Sequence, residues 1–88
     1  MVWRVEFTPA ADKALGKLQR QVQRRIARFI DTRLVTNEDP RRLGEAYKGP
    51  LAGYWKYRVG DYRLICDIRD KEIRILVVTI GDRKEIYR

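Results

Sequence analysis

No histidine occurs in the 88 residues, and cysteine and methionine occur once each. The missing imidazole removes the side chain that most proton-transfer sites use near neutral pH. A single cysteine, Cys66, excludes an intramolecular disulfide framework. Cys66 lies in an apolar run with no histidine to activate it, so it reads as a buried, inert thiol rather than a nucleophile. A metal site would have to be built from carboxylates and carbonyls alone, and none is expected. Long hydrophobic runs are also missing. The N-terminal MVWRVEF has no signal-peptide core, and no stretch approaches the ~18 apolar residues that span a bilayer. These absences predict a cytoplasmic chain that uses neither metal nor cofactor and does not enter a membrane.

What the chain has in excess is positive charge. Twenty Lys and Arg against twelve Asp and Glu give a net charge of +8. Such an excess fits a polyanionic partner, whether nucleic acid, an anionic membrane surface or an acidic protein, and it also serves plain solubility. The hydrophobic fraction of 44% is ordinary for a folded protein. The length predicts a single domain over residues 1–88, burying only about 60–65% of its unfolded surface.

Periodicity predicts an α+β fold. Trp3, Val5 and Phe7 alternate with Arg4 and Glu6, a half-buried strand. Thr8-Pro9 supplies a helix N-cap followed by proline at the first helical position. Ala11, Ala14, Leu15 and Leu18 then recur at helical spacing. A break near residues 16–21 implies an αα-hairpin, whose second helix starts near Arg20 and carries the stripe Val22, Ile26, Phe29, Ile30 and Leu34. Arg24 and Arg28 lie off that stripe, on a basic face that is either solvated or available to phosphates. Residues 36–50 read as loop. A three-stranded antiparallel meander completes one sheet, with both helices packed on one face.

Register locates the chemistry. Gly60-Asp61 is a two-residue turn signal, and closing the hairpin there pairs Arg58 with Arg63 and Lys56 with residue 65. Trp55, Tyr57, Val59, Tyr62, Leu64, Cys66 and Ile68 then form a core face. Tyr54, Lys56, Arg58, Arg63, Ile65 and Asp67 occupy the other, which is expected to be strongly cationic. A second turn at Asp70-Lys71 leads into IRILVVTI, apolar on both faces and so a central strand, with Asp67 opposite Arg74. Like charges paired across a ladder cost stability, and a bound anion would relieve them, as would solvent or Asp67.

If the anion is an RNA phosphate, cleavage by the adjacent 2′-hydroxyl needs a base, cations for the phosphorane and a donor for the leaving oxygen. A lysine among arginines can serve as base, and arginine can grip the transition state with two donors. Arginine is a poor acid in water, and Tyr87 could stack on a base or donate a hydrogen bond. Such a site should be weak on free RNA and need its substrate aligned by something else.

The segments WKYRVGDYRLI and IGDRKEIY, behind a strand and a helical hairpin, resemble over essentially the full length the RelE family of toxin–antitoxin toxins, within the RelE/ParE superfamily. The resemblance implies a ribosome-dependent endonuclease that cuts messenger RNA in the A site of the 70S ribosome by metal-free 2′-hydroxyl attack. It also implies a RelB-like antitoxin partner. By motif, Lys56 corresponds to the family's lysine proposed as base or stabiliser of the attacking oxygen. Arg63 corresponds to its transition-state arginine, and Arg83 to a second arginine proposed as acid or charge stabiliser. Tyr87 corresponds to the tyrosine that stacks on the message, and Lys48 stands where relatives carry a phosphate-contacting base. Lys48, Tyr54, Arg58, Arg24 and Arg28 complete the expected RNA and ribosome contacts.

This chain has Tyr54 where some relatives have a second lysine, and Asp82 where others have histidine. With Arg88 directly after Tyr87, no long C-terminal helix is expected. Two other readings stay open: a ParE-like, non-enzymatic inhibitor of DNA gyrase, and a basic module that binds nucleic acid without catalysis. ParE-type chains generally lack the Arg83 and Tyr87 ending combined with a Lys56/Arg63 pair, which favours the nuclease.

Overall fold

Thr8 ends one element and starts the next. In the computed structural model, which describes residues 2–82, its hydroxyl accepts from Ala11 N at 3.1 Å and donates to Val78 O at 2.6 Å. The first contact caps helix α1 (Pro9–Gly16), with Pro9 in the first turn as the sequence predicts. Strand β1 (Arg4–Phe7) precedes it, and helix α2 (Arg20–Phe29) follows, continued by a π-helical turn over Ile30–Leu34. Ile26, Ile30 and Leu34 of the expected stripe are buried, while the intervening arginines are exposed.

The remaining strands are β2 (Glu45–Ala46), β3 (Trp55–Val59), β4 (Tyr62–Arg69) and β5 (Arg74–Asp82). They form a five-stranded sheet in the order β1-β5-β4-β3-β2, with β1 parallel to β5 and the other neighbours antiparallel. As expected, β5 is internal, between β1 and β4. The strand β2 corrects the expectation of loop over 36–50. Two residues are too short to show an alternation, so the sequence carries no strand signal there.

The Gly60-Asp61 hairpin has the expected register: Arg58 pairs with Arg63 and Lys56 with Ile65. The next hairpin does not. Residues 70–73 form a wider turn, with Ile73 in the left-handed region at φ 50°, so Asp67 lies opposite Leu76 rather than Arg74. Arg74 instead donates to Glu6 at 2.6 Å and Glu72 at 2.7 Å, while Asp67 accepts from Arg69 at 3.1 Å. The slip is two residues, so each side chain keeps its predicted face, and Ile75 and Val77 are fully buried.

Farther along, Cys66 pairs with Val77 but Ile65 pairs with Thr79, a β-bulge that inserts Val78. Unbroken register would set Ile80 opposite Arg63. The bulge turns Ile80 to the helix-covered face, where it is buried, and sets Gly81 opposite Arg63 instead. Thr8 holds this bulge through the Val78 carbonyl and also donates its own N–H to Val77 O at 3.0 Å. Thr8→Ala should therefore lose a helix cap and leave a strand carbonyl short of a donor, costing about 2 kcal/mol in urea unfolding at unchanged m. A change under about 0.5 kcal/mol would mean that the hydroxyl holds neither element.

The core lies between the helices and one sheet face. Ala11, Ile26, Ile30 and Leu34 meet Tyr57, Leu64, Cys66, Ile75 and Val77. Burial pushes both the Cys66 thiol and the Tyr57 phenol up from their ordinary range. Cys66 is thus the inert thiol that the sequence predicts. Arg41, on a short 3₁₀ turn, donates to both oxygens of Asp70 at 2.9 and 2.6 Å, tying the connection after α2 to the β4–β5 turn. That bond holds the Asp70 carboxyl below the usual carboxylate range. No helix among the described residues is long and apolar enough to cross a membrane.

Candidate functional site

On the sheet face away from the helices, β3 contributes Lys56 and Arg58, and β4 contributes Arg63 and Ile65. Period-two alternation on either side of a tight turn produces this clustering: paired residues share a face, so three cations lie on the same side of the sheet. The structure adds two features to the strongly cationic face expected from the sequence. Arg63 is only 4% exposed and Ile65 is buried beside it. Glu45, expected from the sequence to lie in a loop, is opposite Lys56 in the β2–β3 ladder. Its carboxylate is 3.6 Å from Lys56 Nζ and 4.0 Å from Arg58 Nε. Glu45 thus lies near Arg58 of the Arg58/Arg63 pair, while Asp67 accepts from Arg69.

The three cations thus occupy different environments. Arg58 has a side chain 61% exposed and can reach an incoming ligand. The Lys56 side chain is largely covered, with its ammonium 5.7 Å from the centre of the Tyr47 ring, within cation–π range. Arg63 is set into the sheet opposite Gly81, which has no side chain to fill the adjoining space. A guanidinium buried in this way has less rotamer freedom left to lose than an exposed one.

Tyr54 is half-buried just ahead of β3, and its carbonyl accepts from Tyr47 N at 3.0 Å. Lys48 is exposed at the start of a 3₁₀ turn over Gly49–Leu51. Both therefore lie in the connection between β2 and β3, leading into the cluster. Arg28 is on α2 and faces a groove shared with Arg58, whereas Arg24, although exposed, does not line it. Arg83 and Tyr87 lie outside the described residues. Sequence reasoning missed Glu45 and Tyr47, which flank Ala46. Their only signal is a charged and an aromatic residue two apart, one short alternation after Gly44.

The sequence profile described as "ParE toxin of type II toxin-antitoxin system, parDE" matches residues 5–87. Among characterised proteins, the chain is 31% identical to toxin RelG of Mycobacterium tuberculosis, over all of this chain and 99% of that one. It is 30% identical to toxin RelE of the same organism, over 98% of this chain and 87% of the other. Among solved structures, the toxin–antitoxin complex RelBE2 of M. tuberculosis contains a chain that superposes with a TM-score of 0.85 at 28% identity, covering 94% of this chain and 93% of that one. Profile, relatives and fold agree: the chain is a toxin of type II toxin–antitoxin systems and belongs to the RelE/ParE superfamily.

Proposed function

We propose that the protein is a ribosome-dependent endoribonuclease that cleaves messenger RNA in the A site. The observation that carries this reading is the juxtaposition of Lys56, Arg58 and Arg63 on one sheet face, with Arg58 and Arg63 directly paired. Three cations on one sheet face suit a phosphorane, whose charge grows as the reaction proceeds. In the proposed step the 2′-hydroxyl oxygen bonds to the neighbouring phosphorus as its proton passes to water, and the bond to the 5′-oxygen breaks as that oxygen takes up a proton from water. The products are a 2′,3′-cyclic phosphate and a 5′-hydroxyl.

Arg63 binds the non-bridging oxygens. Lys56, ion-paired with Glu45, exchanges that carboxylate for the substrate and stabilises the attacking oxygen. Arg83 and Tyr87 take the roles that the family resemblance gives them, charge stabilisation at the leaving group and stacking on the message. Lys48, Tyr54, Arg58, Arg24 and Arg28 contact RNA and ribosome. The ribosome supplies alignment that the small site lacks, which accounts for an enzyme without histidine. An acidic, RelB-like antitoxin would neutralise the basic surface, and the likeness to a toxin solved with its antitoxin supports such a partner.

The match to a ParE profile favours one competitor, inhibition of DNA gyrase without cleavage. A cell-free translation reaction with primer extension, run beside naked RNA and a gyrase supercoiling assay, separates the two. Codon-phased cuts only on translated message are expected. Intact message with blocked supercoiling would reverse the assignment. Glu45→Gln should release Lys56 and Arg58 and tighten binding to a short single-stranded RNA by about three- to tenfold, with a steeper salt dependence. Unchanged affinity would place the phosphate elsewhere.

A further inference from the structure

A second cationic feature lies beside the sheet face. A groove of about 250 Å³ runs between α2, its π-helical extension and the β3–β4 turn, and four arginines line it: Arg25, Arg28, Arg33 and Arg58. Among the described residues no carboxylate side chain lines it. Among the described residues, Arg25, Arg28 and Arg33 form no ion pair, and Arg58 has only the distant Glu45.

The groove is built rather than incidental. Arg25 lies across the turn so closely that a Cβ at Gly60 would come within 3.0 Å of its Nη1. Gly60 also has φ 62°, so the position favours glycine for two independent reasons. On the helix side, Thr32 in the groove wall donates to Arg28 O at 2.7 Å, within the segment that widens into the π turn before Arg33. Four guanidinium groups around one open space repel each other unless an anion sits between them. Their forked donors suit the oxygens of phosphate.

We propose that this groove is a second phosphate-binding site that holds an RNA backbone beside the reacting face, with Arg58 joining the two. RNA is favoured over an acidic peptide because the apolar part of the lining, Phe29 and Val59, packs into the core and offers a peptide no anchor. The backbone could come from the message or from a ribosomal helix. The inference rests on RNA being the partner, but not on cleavage.

The test compares Arg25→Gln/Arg33→Gln with a control of equal net charge, Lys13→Gln/Lys71→Gln, both checked by thermal melting. Each is titrated with a short unstructured RNA and with an RNA hairpin across a range of salt. The groove variant should bind on the order of tenfold more weakly, and its log–log salt slope should fall by about one for each arginine removed. Arg25→Lys/Arg33→Lys should recover most of the slope. A larger loss on the unstructured RNA assigns the site to message, and a larger loss on the hairpin assigns it to ribosomal RNA.

An unchanged slope overturns the proposal, as does an equal loss in the control pair. A loss confined to antitoxin binding overturns it in favour of a protein partner. If the wild type fails to cut translated message yet the groove variant loses RNA affinity, the nuclease reading falls and the groove stands. If the wild type cuts translated message and the groove variant keeps its RNA affinity, the groove falls and the nuclease reading stands.

Discussion

Arg63→Ala is expected to lower message cleavage on programmed ribosomes by about 10²–10³-fold while ribosome binding persists. Three features single out this residue among twenty Lys and Arg. It shares a face with Lys56 and Arg58, it is 4% exposed, and the β5 bulge places Gly81 across from it. A guanidinium so held contributes fixed charge without reorganising at the moment of reaction. Arg63→Lys should recover little of the loss, because the point charge survives but the two-donor fork does not. The arginine is buried, so thermal melting of both variants must accompany the rates. A folded Arg63→Ala protein cutting at the wild-type rate would remove Arg63 from the chemistry. A folded variant that no longer binds ribosomes would reassign it to docking.

The largest stability effect is expected at Tyr57. The side chain is fully buried, and its hydroxyl donates to Pro40 O at 2.7 Å. Its ring tilts against Phe29 at a centroid distance of 6.0 Å, and a Cβ at Gly44 would meet the ring at 3.1 Å. Tyr57 thus fastens the connection after α2 to the sheet and fixes where Glu45 enters it. Tyr57→Phe should cost about 1–2 kcal/mol, since the Pro40 carbonyl loses its donor in a buried setting. Tyr57→Ala should cost about 3–5 kcal/mol, from lost burial plus the cavity left behind. In a domain this small each kcal/mol lowers Tm by about 4–8 °C, so the phenylalanine variant melts measurably earlier and the alanine variant is near unfolding at 37 °C. Equal melting temperatures for Tyr57→Phe and wild type would show that the Pro40 contact contributes nothing.

How far these residues can be read from the chain depends on the range of the signal. The Thr8-Pro9 cap, the α2 stripe and the Gly60-Asp61 hairpin are local, each encoded within a few neighbouring residues, and each has its expected form. That hairpin alone puts Lys56, Arg58 and Arg63 together. Features set by distant parts of the chain are not legible in it. Glu45 reaches the site through a two-residue strand with no periodicity of its own. The 70–73 turn, with Ile73 left-handed, has no glycine to announce it, so the sequence pairs Asp67 with the wrong partner. The bulge at Val78 is stabilised by a hydroxyl seventy residues away. Alternation therefore puts Arg63 on the correct face, but its depth in the sheet, which decides how it can act, comes only from the structure.

The proposed mechanism centres on 2′-hydroxyl attack carried out by cations on ribosome-aligned message. Its most direct test uses 70S ribosomes programmed with two messages that differ by one atom, one carrying a 2′-deoxynucleotide on the 5′ side of the mapped cut. The expected result is cleavage of the all-ribose message to a 2′,3′-cyclic phosphate end and no cleavage of the deoxy message at that position. Cutting of the deoxy message at a comparable rate would contradict this mechanism.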